Sequence, residues 1–203
     1  MPRIAREVTE AVVLALIVFL VIQGSIRNFK VDGSSMRPTL EGGQYLLANK
    51  LVYFKIDTSR ISRMIPFWNA DKPVDHFAIH APERGEVIVF RFPGSATDKD
   101  FVKRIIGLPG EEVEMRRGIV FVNGVQLEEP YLEKPDSSHL PPVVLGEKEY
   151  FVLGDNRRSS NDSRSWGSVP EENVLGKVWV VYWPFSQIQL LNSPIPWLQH
   201  LFN

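Results

Sequence analysis

A chain of 203 residues, 44% hydrophobic and 23% charged, has apolar content enough for one sizeable core and is not compositionally disordered, so one domain is the expectation. Its 23 Lys and Arg against 24 Asp and Glu leave a formal net charge of -1, which excludes the basic field that condenses onto nucleic acid. The lack of cysteine excludes disulfides, a thiolate nucleophile and a cysteine-ligated metal, and makes an oxidising compartment harmless.

The first element in chain order is apolar. Ala11 to Ile26 carries no charge and is flanked by Arg3, Arg6, Glu7 and Glu10 before it and by Arg27 and Lys30 after it. A membrane span needs roughly 20 residues, reached here if Val8, Thr9 and the snorkelling stem of Arg27 are included. Residues 8–27 therefore read as a transmembrane anchor, behind a short N-terminus of residues 1–7 and ahead of a domain built from 28–203. A cleaved signal peptide is the rival reading, but Ile22-Gln23-Gly24-Ser25 supplies no good pair of small residues for cleavage. The flanking positive charges are too evenly divided to set orientation.

Next comes Gly33-Ser34-Ser35-Met36-Arg37-Pro38-Thr39-Leu40, a tight turn able to present a hydroxyl and its own backbone N–H to one point. Taken alone, such a serine is usually an ordinary turn residue. Gln44 to Lys50 reads as a strand, Asp57 to Arg84 as a loop or lid, and Glu86 to Phe92 as a second strand. In the strand Phe101 to Ile106, alternation places Lys103 on one face with Phe101 and Ile105. An apolar face there would desolvate the amine and lower its pKa towards that of a usable general base. The commoner fate of a strand lysine is to snorkel into water.

Glu111 to Arg116 and Ile119 to Val122 continue the strand pattern, and Asn123-Gly124 ahead of Val125 to Leu127 is a two-residue hairpin signal, since both positions tolerate positive φ. Glu128 to Pro142 reads as a loop, Tyr150 to Leu153 as a strand, and Lys177 to Trp183 as the last strand. Between these, Gly154 to Arg164 is dense in hydroxyl, carboxylate and guanidinium groups, suited to orienting a base or simply a solvated loop, and Asn156 to Ser165 reads as loop. The fold class is therefore mainly β: an antiparallel sheet or partial barrel with one N-terminal transmembrane helix. His76, His80, His139 and His200 sit in no triad-like or metal-ligand pattern; the His76/His80 pair would need a helix to bind zinc, and its stretch reads as loop. Residue order alone does not exclude a Ser–His–Asp triad.

Together and in this order, these segments resemble the bacterial type I signal peptidases, a family of Ser–Lys serine peptidases. Ser35-Met36-Arg37-Pro38-Thr39-Leu40 is similar to the family's nucleophile box, and Arg84-Gly85-Glu86-Val87-Ile88-Val89-Phe90 to its structural strand box. Lys103 to Gly110 is similar to its base box, and Gly154 to Arg164 with Trp166-Gly167 to its closing box. The resemblance covers residues 8 to about 183.

It implies an endopeptidase that removes signal peptides from exported preproteins after small residues, with Ser35 as nucleophile and Lys103 as general base. Ser160 would hydrogen-bond and orient Lys103, Asp162 and Arg164 would buttress the loop, and Asp155 and Arg104 would form an ion pair. The end of the leader would bind as an added strand, over shallow pockets walled by Phe29, Val31, Met36, Leu40, Phe101 and Val102. Signal peptides and membrane lipid would be its partners, with no nucleic acid, metal or cofactor. The implied location is the plasma membrane, single-pass, with the N-terminus cytoplasmic and the catalytic domain on the extracytoplasmic face.

Two departures from the pattern stand out. Where some members carry a hydroxyl two residues before the nucleophile, this chain has Gly33, so a second oxyanion donor would have to be backbone or water. The stretch Asp57 to Arg84 is long and aromatic, with Phe67, Trp68 and Phe77 suited to a bilayer surface. The self-cleaving SOS-response repressors share the fold and chemistry but carry a DNA-binding region where this chain has its apolar segment. An inactive homologue that binds without turnover would be marked by loss of Ser35 or Lys103, and both are present.

Overall fold

The computed structural model describes residues 2–53, 55–57, 75–77, 80–94, 99–133 and 136–191. Helix α1 (Pro2–Ser25) includes a 20-residue stretch, Arg6–Ser25, of mean hydropathy 2.2, long and apolar enough to cross a membrane. Its large side chains, among them Val12, Leu14, Leu16 and Phe19, are exposed among the described residues. The helix stops at Ser25, whose hydroxyl donates back to Val21 O, and Ile26 and Arg27 already belong to the first strand.

The strands are β1 (Ile26–Lys30), β2 (Tyr45–Asn49), β3 (Lys55–Asp57), β4 (Asp75–Phe77), β5 (Val87–Arg91), β6 (Asp100–Gly107), β7 (Glu112–Arg116), β8 (Ile119–Val122), β9 (Val125–Gln126), β10 (Leu140–Val144), β11 (Glu149–Leu153), β12 (Val169–Pro170), β13 (Val174–Trp183) and β14 (Gln189–Leu190). A short helix, α2 (Ser163–Trp166), lies between β11 and β12. The main sheet is antiparallel, ordered β1-β2-β13-β5-β6-β11-β12 with β14 paired to β13. A smaller antiparallel sheet is ordered β10-β7-β8-β9, and β3 pairs with β4.

The apolar runs explain this layering. Val87 to Phe90 are all fully buried because β5 is central and carries core on both faces. Val87 and Val89 pack with Val31, Met36, Leu40 and Leu46, while Ile88 and Phe90 pack with Ile105, Tyr150 and Val152. A third cluster, Ile106, Phe151 and Leu153 against Val113, Met115 and Val120, joins the two sheets. Each such side chain contributes about 1.5–3 kcal/mol on burial. The β8–β9 turn has φ of 50° at Asn123 and 76° at Gly124, as its sequence demands.

Three stretches read as loops contain structure. The Glu128 to Pro142 stretch runs into β10, whose Pro141 and Pro142 sit at a register shift on the edge of the small sheet, where no ladder N–H is required of them. The Asn156 to Ser165 stretch holds α2, whose N-cap Asp162 accepts from Arg164 N. Asp57 to Arg84 contributes β4; Phe67 and Trp68 lie outside the described residues.

Register then positions the chemistry. Ile26, Asn49, Lys177, Ile88 and Lys103 form one row across β1, β2, β13, β5 and β6. Lys103 thus lies level with the end of α1, four strand spacings or about 19 Å away across the sheet.

Candidate active site

The serine turn is held from both sides. Leu40 N donates to Met36 O at 2.8 Å and Arg37 N to Ser34 O at 3.2 Å, while the Met36 and Leu40 side chains are sunk in the core. From the opposite side Asn156 donates its backbone N–H to Ser35 O at 2.9 Å and its side-chain amide to Ser34 O at 3.1 Å. This approach requires a glycine at 154, since a Cβ there would lie 2.5 Å from Ser35 O and 2.6 Å from Ser160 Cβ. Gly33 adopts φ 89°, a conformation other residues rarely take, so the absent hydroxyl at that position goes with the turn's own geometry.

Lys103 comes to this turn from β6. Its Nζ lies 2.7 Å from Ser35 Oγ and 3.1 Å from Val102 O, and 5.6 Å from the centre of the Phe101 ring. The side chain does not snorkel: the residue is 2% exposed, on the face shared with Phe101 and Ile105. Burial lowers its pKa to about 8, against the opposing pull of Asp162 and Asp155. An amine whose pKa is lowered to about 8, within hydrogen-bond reach of a serine hydroxyl, has the geometry of a nucleophile and its base.

Two buried ion pairs frame the site. Arg104 grips Asp155 through Nε at 2.9 Å and a terminal nitrogen at 2.7 Å, and also donates to Gly85 O at 2.6 Å. Thr39, at the end of the serine turn, donates to Asp155 at 2.5 Å and accepts from Arg104 at 3.1 Å, so one cluster ties together the serine turn, β6 and the loop after β11. Asp162 accepts from Gly154 N at 3.1 Å and pairs with Arg164 at 2.8 and 2.9 Å. Although burial works against it, the Arg164 pKa is raised, by Asp162 and by Asp136 at 2.7 Å. Glu129 pairs with Arg157, whose Nε donates to Gly154 O at 3.1 Å, and the Arg104 guanidinium lies 4.0 Å over the Tyr131 ring.

Several expected placements are different in the structure. Ser160 Oγ is buried but has no hydrogen-bond partner among the described residues, so the expected bond to Lys103 is not made. The cleft beside Ser35 and Lys103, about 700 Å³, is walled by Val31, Met36, Phe101 and Val102. Leu40 and Phe29 are not among its walls; Leu40 is fully buried in the core, and Phe29 packs against the same cluster. Lys30, Asp32, Lys99 and Asp100, unremarked in the sequence as site residues, form a charged rim.

Thr39, Asn156, Glu129 and Asp136 were also missed. Thr39 and Asn156 stood inside the boxes and could have been weighed there, whereas Glu129 and Asp136 lie in a loop-like stretch with no local signal. A further cluster missed by sequence is His80, Glu83 and Glu86, which brings three ligand-type atoms within 4.8 Å of one another. Both Glu86 oxygens are already taken, one by Lys177 at 2.5 Å and the other by Tyr53 at 2.5 Å, and the Lys177 ammonium stands where a cation would sit. Its carboxyl is held below the usual range by Glu83 N–H, Lys177 and Tyr53, which overcome the larger opposing effect of burial. Among the described residues no histidine hydrogen-bonds Ser35 or Lys103.

The family model for signal peptidase, peptidase S26, matches residues 4–183. The chain belongs to this signal peptidase family. It is 35% identical to a probable signal peptidase I-2 of Synechocystis sp. over 192 residues, covering 92% of this chain and 77% of that one. It is 33% identical to signal peptidase I S of Bacillus subtilis over 199 residues, covering 92% and 93%. A solved signal peptidase I of Enterococcus faecalis matches at 35% identity and a TM-score of 0.43 over 49% of this chain and 98% of that one. This S26 signal peptidase is therefore a serine peptidase acting on the signal peptides of preproteins, in a membrane-associated family.

Proposed function

We propose that Ser35 is the nucleophile and Lys103 the general base of a Ser–Lys dyad that cleaves leader peptides after small residues. The observation that carries this is the 2.7 Å separation of Lys103 Nζ from Ser35 Oγ, at a lysine whose pKa burial lowers to about 8. With the amine neutral, an N–H donates to Val102 O and the nitrogen lone pair accepts from the Ser35 O–H. Ser35 Oγ attacks the scissile carbonyl as its proton passes to Nζ, and the Ser35 N–H, which has no acceptor among the described residues, faces the developing oxyanion. The ammonium so formed returns its proton to the departing amine, and the neutral lysine then takes a proton from the water that hydrolyses the ester.

Ser160 is proposed to accept the extra N–H that Lys103 gains during the cycle. A buried hydroxyl without a partner costs about 1–3 kcal/mol, which favours such a bond whenever it can form. Arg104 with Asp155, and Arg164 with Asp162, are read as the struts that hold the two loops to the dyad. Val31, Met36, Phe101 and Val102 form the apolar wall of the cleft, the surface proposed to receive the small side chains before the cut.

The proposed location is the plasma membrane, crossed once by the N-terminal helix with its N-terminus cytoplasmic and the remaining domain extracytoplasmic. The row that places Lys103 level with the end of α1 supports a site working at the membrane surface, where a leader emerges. The deciding experiment is cleavage of a purified preprotein by wild type, Ser35→Ala and Lys103→Arg: wild type should cut at the leader junction and both variants should not. Retained cleavage by Lys103→Arg would remove the dyad, because a guanidinium cannot take the serine proton.

A further inference from the structure

We propose that Asn156 is a positioning residue for the oxyanion site: its side-chain amide fixes the plane of the Ser34–Ser35 peptide and so aims the Ser35 N–H at the carbonyl under attack. This rests on Ser35 being the nucleophile. Asn156 Nδ2 donates to Ser34 O at 3.1 Å and its backbone N–H to Ser35 O at 2.9 Å, so one residue holds two successive carbonyls of the serine turn. A carbonyl oxygen only accepts, so the amide must turn its NH2 towards Ser34 O.

The consequence for Ser35 is geometric. The Ser34–Ser35 peptide is trans, and in a planar trans peptide the C=O and the N–H point in opposite directions. Asn156 draws the Ser34 carbonyl to itself, which turns the Ser35 N–H the other way. Ser34, Ser35 and Lys103 line the cleft and Asn156 does not, so the N–H faces the cleft while the carbonyl faces away from it. Gly33 offers no hydroxyl to share the developing charge, which makes the direction of this one N–H decisive.

The turn does not set that direction by itself. Arg37 N also donates to Ser34 O, at 3.2 Å, and the two lone pairs of the carbonyl accommodate both donors. Arg37 moves with the turn, whereas Asn156 follows Asp155, which both Nε and a terminal nitrogen of Arg104 pin to β6. Asn156 therefore ties the peptide plane to the strand that carries Lys103. Truncating its side chain leaves the Arg37 bond and the Asn156 backbone bond in place. The turn should persist, with its peptide plane free to rock, and a hydrogen bond weakens steeply as it bends.

The test uses full-length enzyme in detergent with Asn156→Ala and Asn156→Asp, both of which remove the donor. On a leader peptide, kcat is expected to fall roughly ten- to a hundredfold with KM little changed, against the loss of about a hundred- to a thousandfold when an oxyanion donor is removed outright. A peptide aldehyde ending at the residue before the cut reports the oxyanion directly: Ser35 Oγ adds to its carbon, the π pair moves onto the oxygen, and the serine proton passes to Lys103. Its inhibition should weaken by the same factor as kcat, while the matching peptide alcohol, which forms no adduct, should bind as it does to wild type. An unchanged kcat, a loss confined to KM, or aldehyde and alcohol weakened alike overturns the proposal. Failure of both variants to fold, read by melting curves, overturns it too, since Asn156 would then be structural. The dyad reading fails separately, if Ser35→Ala still cuts the leader peptide.

Discussion

Lys103 shows how much of the chemistry depends on one side chain's surroundings. An exposed lysine titrates near 10.4 and is almost wholly charged at neutral pH, whereas this one is brought to about 8 by burial. Because the folded-state pKa is lowered and the base must be neutral, activity should climb as pH rises through 8 and level off above it. At pH 6 the neutral fraction is about one hundredth of the plateau, so kcat/KM measured from pH 6 to 10 should rise about a hundredfold; a flat profile would contradict the assignment. Ser160→Ala should keep the fold and lose roughly ten- to a hundredfold in rate, read by steady-state kinetics beside a melting curve. Leu40 belongs to a different class. Fully buried under the serine turn, its change to Ala should cost about 2–5 kcal/mol in denaturant titration and leave the preference for small residues before the cut intact.

At the scale of elements, the segment linking β9 to β10 clasps the loop that follows β11. Glu129 takes Arg157 and Asp136 takes Arg164, and these two arginines bond to Gly154 O and to Asp162, the groups that shape the back of the dyad. Removing one carboxylate leaves a buried guanidinium short of a partner. Asp136→Asn should therefore lower stability by about 1–3 kcal/mol and slow the single-turnover cleavage step more than it alters KM. If kcat is unchanged while the melting temperature falls, the clasp is structural alone. Asp155→Ala should be the harsher change, on the order of 3–5 kcal/mol, because it strands the buried Arg104 charge.

For the whole molecule, helix and main sheet together set where the proposed dyad would work. The apolar side chains of α1 are exposed among the described residues, as a membrane-crossing helix would require, and β1 begins with no linker after Ser25. With the N-terminus inside, protease added to spheroplasts should digest the domain after α1; full protection there would reverse the proposed orientation. The proposed specificity carries a companion expectation. Placing Leu or Phe immediately before the cut, in place of Ala, should lose most of the rate in a substrate series, and equal rates would contradict the walls assigned to it.

Much of this was legible in the chain because it depends on short-range rules. The apolar run of α1 is a matter of composition, the Asn123-Gly124 turn of local φ, and the grouping of Lys103 with Phe101 and Ile105 of strand alternation. The boxes that carry Ser35, Lys103 and Gly154 to Arg164 come together in space, and the expected Arg104–Asp155 pair is formed. Tertiary structure decided what depends on neighbours far away in the chain. Leu40 lies in the core rather than in the cleft, Asp136 and Glu129 reach their arginines across 28 residues, and Ser160 makes no bond to Lys103. The lysine pKa is the sharpest case: alternation chose the face, but only the packing of β5, β6 and the serine turn removed the water that would have kept the amine charged.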